Sequence, residues 1–478
     1  MNKLFLSGFL WSLADKLVNQ FGVLVVTLYI SRLIGPESFG LIGMLMIFVA
    51  LADSVINIGF SQALVQKSHA MTEQDASTIF YVNLVWGFFI YAVLYLFAPL
   101  IAQFYHQPPL LELGRLIFVI IIINSLTVVS KAKLIIQVDF KSQAIANTIG
   151  TVIAAILAIY LAEQGYNYWS FAWFLIVRAL ITNIFLYYFS KWLPQFTFSK
   201  QSFKSLFKFG SNLMIAGLVA TLVNNLNVLL IGRYFSAKQV GYFTQANNLS
   251  LALGNLISST LQGVTFPIMT SIKDDREQLI TIYKQLISIT MMFTLPIFIG
   301  FAAIADDFVR LVLGNEWYSI IPYLITLCIA RSIQPISAVN MNILNAIGRS
   351  DYFLKTDLVK IPISLGCLFV GLQFGTQGVI WGILVSIFVS FFINCYYPYV
   401  IFKYGAIKQL LVAKNYIFAS IIMFFLIQLI DTHSLIIGLI LKVFLGIVVY
   451  FVCLVVLKDV FFLRILKQLL SRITKKSA

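Results

Sequence analysis

The chain has 478 residues, 60% of them hydrophobic and 11% charged, with a mean hydropathy of +0.94 and a net charge of +15. A soluble globular protein is nearer half apolar and a quarter charged, so the composition excludes a string of soluble domains and describes a polytopic membrane protein. The positive charges are thinly spread over short loops, which excludes a nucleic-acid-sized basic patch. The four cysteines, Cys328, Cys367, Cys395 and Cys453, all lie in apolar stretches and form no disulfide framework or metal pair.

A spanning helix needs about 20 mostly apolar residues. The first such stretch, 9–31, carries Asp15, Lys16, Asn19 and Gln20 and has no small-residue cleavage site, so it reads as a retained helix. Stretches 40–65, 78–104, 114–136, 144–161 and 168–190 follow, then a basic segment at 191–208. Beyond it come 210–232, 242–268, 279–304, 318–346, 355–373 and 377–401, and finally a pair at 416–430 and 434–457. The expected fold is an all-α membrane protein of about 14 transmembrane helices. Two parallel six-helix lobes, 1–190 and 209–403, flank a cytoplasmic linker at 191–208, and 404–478 holds helices 13 and 14 and a basic amphipathic tail.

Charge placement sets the orientation. With both termini on the cytoplasmic side, the inner segments hold 24 of the 33 lysines and arginines and the outer loops hold five. The five are Arg32, Arg115, Arg233, Lys238 and Arg310. That asymmetry follows the positive-inside rule and predicts a multi-pass membrane protein with both termini cytoplasmic. Two segments have a basic and an apolar face, 199–210 (Phe203 and Phe207 beside Lys200, Lys204 and Lys208) and the tail around Phe462, Ile465 and Leu466. Both are expected to lie as helices on an anionic leaflet.

One turn occurs twice. YISRLIGPESFGLIG (29–43) and LIGRYFSAKQVGYFT (230–244) are related by a shift of 201 positions, which superimposes Ile30 on Ile231, Arg32 on Arg233 and Gly40 on Gly241. Each is the first outside loop of a six-helix half. Parallel halves of this kind carry their substrate site between them. The turn itself reads as structural, with Gly permitting a tight bend and Arg meeting headgroup phosphates.

The stretch RLIGPESFGLIGMLMIFVALADSVINIGFSQALVQ (32–66) resembles the N-terminal signature of the polysaccharide transporter family. These are the Wzx-like flippases of O-antigen, capsule and colanic-acid units, in the multidrug/oligosaccharidyl-lipid/polysaccharide superfamily. The matching residues are Arg-Leu-x-x-Pro-x-x-Phe-Gly, then Asn-x-Gly-Phe-x-x-Ala-Leu-Val-Gln. The resemblance implies translocation of a polyprenyl-diphosphate-linked oligosaccharide from the inner to the outer leaflet, with no catalytic step. It also implies lipids and polysaccharide polymerase machinery as partners.

Site residues rest on physics. A charge at membrane depth costs about 2.5–3.5 kcal/mol on insertion scales and usually faces a cavity or a partner. Asp15, Lys16, Asp53, Arg178, Arg331 and Lys442 qualify. Arginine suits a diphosphate through paired charge-assisted hydrogen bonds, so Arg331, Lys16 and Arg178 are the expected diphosphate ligands. A structural ion pair, such as Lys16 with Asp53, is the competing reading. Lys442 sits on the peripheral helix pair. Amides both donate and accept, and Asn224, Asn255, Gln334 and Asn345, each in a helical polar stripe, are the expected sugar contacts; Gln334 and Asn345 share theirs with Arg331 and Asn342. Asp53 or Asp15 could couple transport to a proton or sodium ion, against a purely structural carboxylate. No cofactor or metal is expected: there is no GxxxxGK[ST] and no HExxH.

Three other readings share parts of this pattern. A related lipid II flippase has the same diphosphate. A cation-coupled multidrug exporter fits fourteen helices and a cationic interior less well. An outer-leaflet polysaccharide polymerase would need a large outer loop, and none much exceeds about fifteen residues.

Overall fold

A computed structural model describes residues 3–58, 64, 71–272, 274–432 and 434–476, with most side chains from Gln20 to Gln468. Among the described residues the chain is helical throughout and contains no strand. Among the described residues, eleven helices are long and apolar enough to cross a membrane. The chain divides into two compact units, Met1–Thr244 and Gln245–Ala478.

The first unit contains α1 (Lys3–Asp53), α2 (Glu73–Tyr105), α3 (Leu110–Ile117), α4 (Val119–Ile136), α5 (Phe140–Glu163), α6 (Tyr168–Ser190) and α7 (Lys200–Tyr234). It also holds the start of α8 (Ala237–Ser271). The first two apolar stretches are merged in α1 but broken at Gly35, whose φ of 76° is open to glycine at little cost. Pro36 follows, where a missing N–H matters least. Other boundaries follow local chemistry: Thr72 and Asp75 form a capping box ahead of α2, and Asp139 and Ser199 cap α5 and α7.

The second unit contains the rest of α8, α9 (Arg276–Ala303), α10 (Ala305–Val312), a 3₁₀ turn (Asn315–Ile320), α11 (Ile321–Arg331), α12 (Gln334–Ala346), α13 (Ser350–Leu372) and α14 (Gly375–Asn394). It ends with α15 (Tyr396–Phe402), α16 (Ala406–Gln428), α17 (Leu435–Val456) and α18 (Val460–Lys476). Gly378 and Gly382, one helical turn apart, let α14 approach the α13 backbone at Gly371 and Cys367, the small-residue packing that replaces hydrophobic driving force in a membrane. A buried network ties α16 to this unit. Gln409 Nε2 donates to Tyr283 Oη (3.1 Å), and Tyr283 Oη donates to Asn340 Oδ1 (2.5 Å).

Two sequence expectations change here. Residues 199–210 do not form a separate surface helix: they run unbroken into α7, and Phe203 and Phe207 pack on a cluster containing Phe80 and Trp192. Residues 318–346 fall in one candidate span, Asn315–Ala346, but not in one unbroken helix: the helix is interrupted at Ser332 and Ile333, ahead of Pro335. Proline has no N–H for the preceding turn. The apolar side of α18 also packs on protein, with Phe462, Ile465 and Leu466 against the core of the second unit.

Candidate functional site

In the first unit a cavity of about 280 Å³ lies among α1, α4, α5 and α6. Asp53, Lys131 and Arg178 line it, together with Asn124, Gln143, Asn147 and Thr182. Asp53 is the last residue of α1, immediately before a π-helical turn at Ser54–Ile58. Such turns recur at functional sites because the extra residue re-aims the side chains beside it. Asn124 Nδ2 donates to Asp53 Oδ1 at 2.9 Å. Arg178 Nε donates to Thr151 Oγ1 at 3.0 Å, and α5 comes close enough for this because Gly150 has no side chain to meet Thr182 and the Arg178 carbonyl. Neither Lys131 nor Arg178 lies within ion-pair distance of a described carboxylate. The cavity thus holds two cations and one carboxylate, in a part of the chain where charge is costly.

Arg331, in the second unit, ends α11 and is 7% exposed. Its Nη2 donates to Asn247 Oδ1 at 2.6 Å, and its Nε is buried with no hydrogen-bond partner among the described residues. No described carboxylate pairs with it. Buried arginines are ordinarily paired, so this guanidinium has donors to spare for an anion.

The other expected residues lie apart from these two centres. Asn224, Asn255, Gln334 and Asn345 are all exposed. Gln334 belongs to α12 and Arg331 to α11, so the stripe that joined them is interrupted, and Asn342 donates to Thr265 Oγ1 at 3.1 Å. The side chains of Asp15 and Lys16 lie outside the described residues. Lys442 forms a half-buried ion pair with Asp307 at 2.5 Å, fastening α17 to α10. Arg233 donates to the Phe104 carbonyl at 2.6 Å and stacks over the Phe104 ring, so protein groups already engage it.

Lys131 was not among the expected ligands because it reads as a topology charge near a helix end. The signal was present: Asn124, Thr127 and Lys131 recur at i, i+3 and i+7, and Gln143 with Asn147 and Arg178 with Thr182 at i, i+4. Those spacings align side chains on one helix face.

The repeated turn has a structural answer. A Cβ at Gly40 would collide with the Ala237 carbonyl and lie 2.8 Å from Gly241 N, and a Cβ at Gly241 would collide with the Pro36 carbonyl. Gly40 and Gly241, like Pro36 and Ala237, are 201 positions apart. The two copies of the turn therefore pack reciprocally, each glycine receiving the backbone that opens the other's helix.

A family model described as polysaccharide biosynthesis protein matches residues 29–322. The chain belongs to the polysaccharide biosynthesis protein family. Among its relatives, the succinoglycan biosynthesis transport protein ExoT of Rhizobium meliloti (strain 1021) is 23% identical, covering 88% of this chain and 86% of that one. The lipopolysaccharide biosynthesis protein WzxC of Escherichia coli (strain K12) is 25% identical, covering 81% and 80%. In fold, the chain is similar to lipid II flippase MurJ in an inward closed conformation, with a TM-score of 0.78 at 16% identity over 95% of this chain and 99% of that one. It is also similar to an inward-facing multidrug resistance MATE family transporter of the MOP superfamily, with a TM-score of 0.63 at 19% identity over 85% and 99%. The protein is thus a multi-pass membrane transport protein of polysaccharide biosynthesis, not an enzyme.

Proposed function

We propose that the protein flips a polyprenyl-diphosphate-linked oligosaccharide repeat unit from the cytoplasmic to the outer leaflet of the bacterial inner membrane, for assembly of a surface polysaccharide. The observation that carries this reading is the excess of cation: buried Arg331 without a described carboxylate, and a cavity in which half-buried Arg178 and exposed Lys131 face the one lining carboxylate, Asp53. A diphosphate supplies the missing negative charge. The exposed amides Asn224, Asn255, Gln334 and Asn345 suit the sugar hydroxyls. The fourteen-helix, two-lobe layout with both termini cytoplasmic remains the reading of the charge asymmetry, 24 cationic residues inside against five outside. Alternating access then opens and closes the lobes.

A second reading, lipid II flipping, draws support from the likeness to MurJ. One experiment separates the two and tests coupling. Purified protein in liposomes, given a lipid-linked oligosaccharide in the outer face, is expected to move it to the inner face and to leave lipid II behind, faster under an imposed proton or sodium gradient. Asp53→Asn is expected to retain basal exchange and lose the response to the gradient. Lipid II moving in place of the oligosaccharide contradicts the first reading, and an undiminished gradient response in Asp53→Asn removes the carboxylate from coupling.

A further inference from the structure

A second basic cavity, of about 740 Å³, lies in the second unit where α9, the Lys403–Tyr404 turn, α16 and the start of α18 come together. Three lysines line it, Lys284 from α9, Lys403 from the turn and Lys408 from the first turns of α16, and no carboxylate does. All three are exposed, and none pairs with a described carboxylate. Their positions are built in. Lys403 takes a left-handed backbone (φ 56°) that ends α15. Lys408 Nζ donates to the Lys403 carbonyl at 2.9 Å, and Lys284 Nζ lies 5.7 Å from the centre of the Tyr404 ring.

The apolar wall is the second observation. Tyr404 lines the same cavity, is only 4% exposed and keeps its hydroxyl buried in the protein. The rest of the wall is apolar, with Phe402, Leu411, Val412 and Phe461. Beyond it α16 exposes Ile407, Phe418 and Phe425 along its length.

We propose that this cavity binds the phosphate of an anionic phospholipid from the adjoining leaflet, its acyl chains lying along the exposed apolar face of α16. The three ammonium groups meet the phosphate charge, and the Tyr404 ring holds Lys284 beside it. A soluble phosphate would satisfy the lysines but leave the apolar wall wet, whereas a phospholipid covers both. Basic pockets between helices at the cytoplasmic side are where anionic headgroups are captured. In the proposed orientation, with both termini cytoplasmic, the cavity lies on the cytoplasmic side. The site is separate from Arg331 and from the Asp53 cavity, and it stands whatever glycan is carried.

Native mass spectrometry of the purified full-length protein tests it, with phosphatidylglycerol, phosphatidylcholine or inorganic phosphate as the probe. The wild type is expected to retain phosphatidylglycerol in preference to phosphatidylcholine, undisplaced by millimolar phosphate. Each lysine at a charged membrane surface contributes about fivefold, so Lys284→Gln, Lys403→Gln and Lys408→Gln together are expected to weaken retention on the order of a hundredfold. Lys355→Gln, at an exposed lysine on α13, is expected to change nothing. Should the triple variant fail to fold, the single Lys284→Gln, Lys403→Gln and Lys408→Gln variants decide, each expected to weaken retention about fivefold. The proposal is overturned by wild-type retention in these variants, by equal binding of phosphatidylcholine, or by phosphate displacing the lipid.

Discussion

Alanine at Gly40 or Gly241 is expected to lower both the amount of folded protein and its transport, and by similar amounts. The added Cβ meets a backbone carbonyl in each case, Ala237 for Gly40 and Pro36 for Gly241, and a backbone cannot rotate out of the way as a side chain can. Overpacking of this kind costs about 1–3 kcal/mol, sometimes more. Two neighbouring glycines calibrate the effect. At Gly43 the new Cβ would meet the Thr244 hydroxyl at 3.0 Å and a Val240 methyl at 3.4 Å, groups able to shift, and at Gly22 nothing lies within 4 Å. Gly43→Ala is therefore expected to be mild and Gly22→Ala neutral. Because Gly40 and Gly241 share one crossing, the double variant should cost less than the sum of the singles. Membrane abundance, melting temperature and restoration of surface polysaccharide read all five variants. A Gly40→Ala protein as stable and active as wild type would show that the two turns do not need their close approach.

Arg331→Ala is expected to weaken the diphosphate lipid on the order of 10- to 100-fold, the size of one lost charge-assisted hydrogen bond to a buried anion. Folding should suffer less, because the only described side-chain partner that the change strands is the Asn247 amide, at 2.6 Å. Arg331→Lys keeps the charge but loses the planar fork and should fall between the two. Binding and abundance measured side by side separate the roles: a variant that loses stability but binds normally would make Arg331 a structural link between α11 and α8.

Much of this was legible from the amino-acid order, and the failures have physical causes. Period and length mark the helices because lipid leaves the backbone no other partner than itself. The recurrence of Arg32 and Gly40 at Arg233 and Gly241 pointed to a repeated turn, but not to the two copies packing on each other, since contact is a three-dimensional fact. Arg331 and Gln334 looked like one stripe because the 3.6 period continues through Pro335; the turn at Ser332 and Ile333 buries the first and exposes the second. Lys131 was hidden by its nearness to a helix end, although Asn124 and Thr127 gave its face. Lys442 has a partner, Asp307, 135 positions earlier, a distance over which sequence spacing is silent. The phenylalanines of 199–210 are as apolar toward Phe80 and Trp192 as toward lipid, so composition alone could not choose between them.

The central claim is tested most directly in a strain lacking this chain. Its lipids are extracted and examined for a diphosphate-linked oligosaccharide. The account predicts that the unit accumulates unpolymerised while surface polysaccharide disappears, and that the wild-type chain reverses both but Arg331→Ala does not. Normal polysaccharide with a build-up of lipid II, or with altered drug resistance alone, would contradict it.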